Sequence, residues 1–242
     1  MGSSTVTNTS GSISSQVRAN ATNGCSVVSW TSDGSTSITS VGHGLNAAPQ
    51  FIVFKNRDAA DNWVVIGHPA FTNLARDYLN LNLTNAKTTN ASDLFAAPTS
   101  TTFSIKQSTF GSNGNKMIAY CFAPVASFSS FGQYTGNGSS DGPFVFTGFR
   151  PRWIMIKPNV SNTYSYWLID DTARSSYNVA QNKLAANLSD AENSANIGTQ
   201  PYDILSNGFK LRTGSGVGLN QNGTEYLYAC FAESPFKYSR AR

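Results

Sequence analysis

A chain of 242 residues, 40% hydrophobic and only 12% charged, can bury one large core or two small ones, and its surface must be built from Ser, Thr, Asn, Gln and Gly. Its 17 basic and 13 acidic residues leave a formal charge of +4, too weak for a nucleic-acid footprint, which needs a basic stripe or patch. No stretch approaches the roughly 20 apolar residues of a membrane span, and no charged-then-apolar leader opens the chain, so synthesis and folding in a cytoplasm are expected.

In chain order, residues 1–24 come first, and sixteen of these twenty-four are Ser, Thr, Asn or Gly. Such a segment cannot by itself bury enough surface to offset its ordering entropy, so it is expected to be an extended arm that lies on another subunit. Residues 25–126 and 127–242 then read as two copies of one unit. PQFIVFK at 49–55 matches PRWIMIK at 151–157, WVVI at 63–66 matches WLID at 167–170, and NLTNA at 82–86 matches NLSDA at 187–191. FSI at 103–105 matches FKL at 209–211, and CFA at 121–123 matches CFA at 230–232. Five blocks in one order, with slowly growing offsets, indicate a duplication with small loop insertions.

Each copy alternates short β-branched and aromatic runs with clusters of Gly, Asn, Ser, Asp and Pro. The expected strands are 26–31, 36–41, 50–55, 62–66, 78–83, 102–106 and 116–122, then 131–135, 143–147, 152–157, 165–169, 183–188, 208–212 and 225–231. Short turns or helices are expected in 71–77 and 172–182. Such spacing predicts an all-β fold: two tandem, similar, antiparallel β-sandwich (jelly-roll-like) domains behind the arm. The runs at 50–55 and 152–157 are apolar throughout, so they should lie centrally with both faces covered. The shared aromatics Phe51, Trp63, Phe103, Phe122, Trp153, Trp167, Phe209 and Phe231 are expected in the repeated core.

Chemistry is sparse. Cys25, Cys121 and Cys230 lack metal or redox spacing, and Cys121 and Cys230, in apolar runs, read as buried free thiols. His43 and His68 lack a nucleophile elbow and read as turn residues or partly exposed imidazoles. Asp170 and Asp171, with Asp141 or Glu192, could supply the two carboxylates of a glycosidase, but adjacent strand residues point to opposite faces. Asp58, Asp61 and Asn62 make a thin calcium candidate. No catalytic residue, metal or cofactor is therefore expected. Recognition needs only loop aromatics beside amides and hydroxyls, and such residues lie where the copies diverge: His68, Phe71, Asn73 and Tyr78 in the first, Tyr164, Tyr166, Tyr177, Asn178, Gln181 and Tyr202 in the second.

GHGLNAAPQFIVFK at 42–55, GNGSSDGPFVFTGFRPRWIMIK at 136–157, YCFAPV at 120–125, ACFAES at 229–234 and the closing SPFKYSRAR resemble a duplicated β-domain of tail-fibre-like and other virion proteins of tailed bacteriophages. That resemblance implies a non-enzymatic virion structural protein of host-attachment type. Its expected partners are other virion proteins through residues 1–24, a host-surface glycan or protein, and further copies of itself, a homotrimer being favoured. Nucleic acid and membrane insertion are not expected. The alternatives are a capsid decoration protein and a polysaccharide-degrading tailspike.

Overall fold

The structure is a computed structural model that describes residues 2, 4–161, 165–192, 194, 200–214 and 218–233. The chain divides into two compact units, Met1–Leu81 with Lys87–Val125, and Asn82–Ala86 with Ala126–Arg242. The fold is all-β. Among the described residues its one helix is four residues long, and none is long and apolar enough to cross a membrane.

Unit 1 runs through β1 (Val6–Asn8), β2 (Ser15–Asn20), β3 (Cys25–Thr31), β4 (Ile38–Gly42), β5 (Phe51–Asn56), β6 (Val64–Ile66), β7 (Asp77–Asn80), β8 (Thr88–Thr89), β9 (Phe95–Ala96), β10 (Thr102–Lys106), α1 (Gln107–Phe110) and β11 (Lys116–Phe122). One sheet has the order β1-β2-β3-β11-β5-β6-β7-β8 and the other β4-β10-β9. Between them lies a core of Val28, Trp30, Met117, Ala119, Cys121, Ile52, Phe54, Val64 and Ile66 from the first sheet and Val41, Phe103, Ile105 and Phe95 from the second. Strict alternation makes this possible: in β3 the inward Ser26, Val28 and Trp30 are buried while their neighbours are half-exposed.

Unit 2 runs through β12 (Ser129–Thr135), β13 (Phe144–Phe146), β14 (Pro151–Pro158), β15 (Leu168–Asp171), β16 (Leu184–Ala185), β17 (Tyr202–Leu205), β18 (Gly208–Leu211) and β19 (Glu225–Ala232). Its sheets have the orders β12-β19-β14-β15-β16 and β13-β18-β17. Strand for strand, these repeat β3-β11-β5-β6-β7 and β4-β10-β9. The registers agree as well: Cys121 opposes Ile52 as Cys230 opposes Ile154, and Phe103 opposes Val41 as Phe209 opposes Val145. Duplication therefore extends from sequence blocks to sheet topology.

All fourteen expected strands are present, with β5 and β14 central and largely buried on both faces. The stretches 71–77 and 172–182 are turns, and the helix lies instead at 107–110. Residues 1–24 depart furthest from expectation. They are no free arm: β2 pairs with β3 from Ser15↔Trp30 to Asn20↔Cys25, β1 pairs with β2, and Val17 is 1% exposed within the core. The chain supplies its own edge for this segment, so its ordering entropy is offset by ladder bonds and burial inside unit 1.

Of the shared aromatics, Phe51, Phe103, Trp167 and Phe209 are buried. Trp63, Phe122, Trp153 and Phe231 are half-buried on the other face of the large sheets, where Phe51 meets Phe122 at 6.2 Å and Trp153 meets Phe231 at 5.6 Å.

Candidate functional site

Half of the loop residues expected to bind a ligand are buried or half-buried. His68 is 0% exposed: its Nδ1 accepts a hydrogen bond from Ala70 N–H at 3.1 Å, and its ring lies between Phe51 and Phe71. Phe71 and Tyr202 are buried too, and Tyr78 and Tyr166 are half-buried against the two cores. His43, expected at least partly exposed, is 0% exposed, between Thr99 O at 3.1 Å from Nε2 and Leu45 N–H, which donates to Nδ1 at 3.2 Å. Burial holds its pKa below the ordinary histidine value, so the imidazole is a neutral brace of the β4 turn. Asn73, Tyr177, Asn178 and Gln181 remain exposed, although the Asn178 amide is engaged in both directions with the Ile204 backbone. Tyr164 lies outside the described residues.

The acids considered for glycoside hydrolysis are each held by a cation. Asp170 is buried, with Lys183 Nζ on its Oδ2 at 2.7 Å. Burial pushes the Asp171 carboxyl up, but Arg174, at 2.7 Å, holds it below the usual carboxylate range, and the same guanidinium reaches Glu192 at 2.9 Å. Asp141 is exposed and held low by Lys210 at 2.8 Å. Asp170 and Asp171 point to opposite faces of β15, as the strand period requires. The calcium candidates are likewise engaged by protein donors: Asp58 Oδ2 accepts from Lys116 N–H at 2.6 Å and Asp61 Oδ2 from Asn56 Nδ2 at 2.8 Å.

Unit 1 holds a pocket of about 230 Å³ lined by Phe54, Asn56, Asp61, Asn62, Val64, Tyr78, Asn80, Thr109 and Phe110. Strand register builds it. Phe54 opposes Val64 and Val64 opposes Asn80, which sets an apolar ring and an amide on the inner face of three adjacent strands. α1 closes the other side with Phe110, edge-on to Phe54 at 5.0 Å. The rim is the 57–63 loop, pinned by Lys55 Nζ on Ala59 O at 2.9 Å and on Asp61 O at 2.7 Å, and by Asn56 Nδ2 on Asp61. Aromatic faces, amides, a hydroxyl and one carboxylate thus converge on a space just under the roughly 300–1,000 Å³ of drug-sized pockets.

Across the duplication, Phe54, Asn56, Val64, Tyr78 and Asn80 correspond to Ile156, Pro158, Leu168, Lys183 and Ala185. Unit 2 therefore folds in the same way with no amide at the two asparagine positions. Of the residues the sequence singled out for recognition, only Tyr78 lines the pocket. The Asn/Asp-rich NRDAADN loop at 56–62 was the available signal for the rest.

A family model matches residues 1–235 as one span, through both copies and the N-terminal segment. The chain belongs to the family described as a domain of unknown function (DUF7483). No curated protein and no solved structure matches it. Because the DUF7483 match covers the N-terminal strands together with the tandem units, it accords with β1 and β2 being part of the fold.

Proposed function

We propose that this chain is a non-catalytic bacteriophage virion protein, tail-fibre-like or otherwise concerned with host attachment, which holds a neutral sugar unit of a host-surface glycan in the unit 1 pocket. The observation that carries the binding role is the pair of amides, Asn56 and Asn80, at positions where the sister unit has Pro158 and Ala185. Unit 2 folds with neither amide, although in unit 1 Asn56 also pins the rim through Asp61, and an aromatic-walled, amide-lined recess suits the apolar face and hydroxyls of a sugar ring. The phage setting rests on the resemblance of the repeat motifs and on a charge-poor, hydroxyl-rich surface. Asp170, sealed in the core by Lys183, is a poor candidate for acid–base work, which disfavours the tailspike reading. Val6–Asn8 and Ser15–Asn20 are committed to the unit 1 sheet, so docking to other virion subunits is better sought elsewhere on the surface.

Titration calorimetry with oligosaccharides from host capsule or lipopolysaccharide tests the site. Asn80→Ala installs the sister residue and should keep the melting temperature while weakening binding roughly tenfold, the equivalent of about one hydrogen bond. Binding unchanged by Asn80→Ala and by Asn62→Ala would remove the pocket from the proposal. Immunogold labelling of particles tests the setting separately: tail-tip labelling supports attachment, whereas labelling of capsid facets points to decoration.

A further inference from the structure

The two units treat one sheet edge differently. In unit 1 the free side of β4 is closed by the chain's own N-terminal segment: Ile13 bridges Val41 in parallel, and its N–H donates to Ser40 O at 3.0 Å. Ser40 N–H donates to Ser12 Oγ at 2.9 Å, and Ser15 Oγ donates to Gly42 O at 2.8 Å. β13 is the same strand of unit 2, since Val145 opposes Phe209 as Val41 opposes Phe103. Phe144 and Phe146 therefore stand where unit 1 has Ser40 and Gly42.

Leu211 N–H donates to Pro143 O and Thr147 N–H to Asn207 O, so the backbone groups of 143, 145 and 147 face β18. Those of Phe144 and Phe146 face away. Among the described residues no strand pairs with that side, and the two rings are 45% and 64% exposed on a common face. A segment with the same side chains does not fit here unchanged, because the Asn8 carboxamide of unit 1 lies where a side chain at the Gly42 position would stand. An occupant must instead bring apolar groups to two phenylalanines.

We propose that β13 is a self-association edge, pairing antiparallel with β13 of a second copy about Val145. In that register Phe144 lies opposite Phe146 of the second copy, and Phe146 opposite its Phe144. All four outward-facing residues then form hydrogen-bonded pairs, and their rings become two cross-strand aromatic contacts. The interface is isologous and closed, which hides the edge that would otherwise template open-ended pairing. It is twofold, unlike the trimer expected from the resemblance. A three-residue strand buries far less than the roughly 1,600 Å² of a standard interface, so the dimer is weak and concentration-dependent.

Sedimentation equilibrium of the full chain should show the mean mass climbing towards the dimer with concentration. Phe144→Pro removes an outward N–H and an exposed ring, leaves the β13–β18 ladder intact, and should abolish the climb with the melting temperature retained. Phe144→Asp and Phe146→Lys should each abolish it alone, and their equimolar mixture should restore it, because the antiparallel register sets Asp against Lys and Phe against Phe. A monomer at all concentrations overturns the proposal. So does association that survives Phe144→Pro, or a mixture no better than its components. None of these readings depends on glycan binding or on where the protein sits in a particle.

Discussion

Lys183 and Asp170 occupy the places of Tyr78 and Ile66 in unit 1, and Tyr202 the place of Phe95. An apolar cluster, in which Tyr78 meets Phe95 at 6.0 Å, has become an ion pair of 2.7 Å with Lys183 Nζ 3.8 Å from the Tyr202 ring centre. Both charges are sealed: the side chains are 1% and 0% exposed, and desolvation lowers the Lys183 pKa despite the neighbouring Asp170. Such a pair contributes little beyond a well-packed apolar replacement, yet losing one partner strands a buried charge. Lys183→Met should therefore cost about 3–5 kcal/mol in urea denaturation, while Asp170→Ile with Lys183→Met should stay much closer to the wild type. Equal losses in the single and double variants would show that the two charges are not coupled. Nothing in the sequence disclosed this pair. Tyr202 lay in an unrecognised strand, and without its register a tyrosine beside Gln, Pro and Asp reads as a surface residue.

At the level of elements, β1 and β2 are the instructive case. Their composition suggested an arm because Ser, Thr and Asn carry little burial energy, but β2 needs only Ser15 and Val17 to point inward against β3. Removing residues 1–24 should destabilise unit 1 strongly, and Val17→Ala alone should cost about 2 kcal/mol, both read from the melting curve. Retention of the full melting temperature after the deletion would mean that the segment is dispensable after all. Strands with two apolar residues in alternation, such as β10, were legible from period alone. The two-residue β8 and β9 and the polar-flanked β17 were not, because their pairing is set by tertiary partners rather than by local pattern. The pocket was half legible for the same reason: its loop amides stand out in the sequence, while Asn80 and Phe110 join them only through register and α1.

The whole molecule does not divide where the repeat does. Sequence copies part at 126 and 127, whereas Asn82–Ala86 groups with unit 2, and there Thr84 O accepts a hydrogen bond from Lys157 Nζ at 3.2 Å. Lys157 is 0% exposed and donates also to Pro158 O, while the matching Lys55 is only half-buried at a loop. Burial pushes the Lys157 pKa from 10.5 down to about 8. Between those two values the unfolded chain holds a proton that the folded chain releases, so stability should rise with pH across that window and carry the full penalty below it. That penalty is on the order of 3 kcal/mol. Lys157→Met should make the rise shallower, buried Lys183 supplying the remainder over the same window, and should stabilise the protein near neutrality, as denaturation at a series of pH values would show; an unchanged slope would mean that the Lys157 ammonium is solvated.

The position of β11 between β3 and β5 has a consequence for biogenesis. The strand at the middle of the sheet is the last of its unit to leave the ribosome, so two half-sheets must wait with an open slot between them. A second strand of the same design, β19, follows about a hundred residues later and could enter the wrong slot. It would bring Tyr226 and Tyr228 to the places of Met117 and Ala119, and Tyr228, which faces Gly132 in its own unit, would there face Val28. Difference in side-chain bulk between otherwise matching strands should thus favour each one's pairing with its own half of the nascent chain.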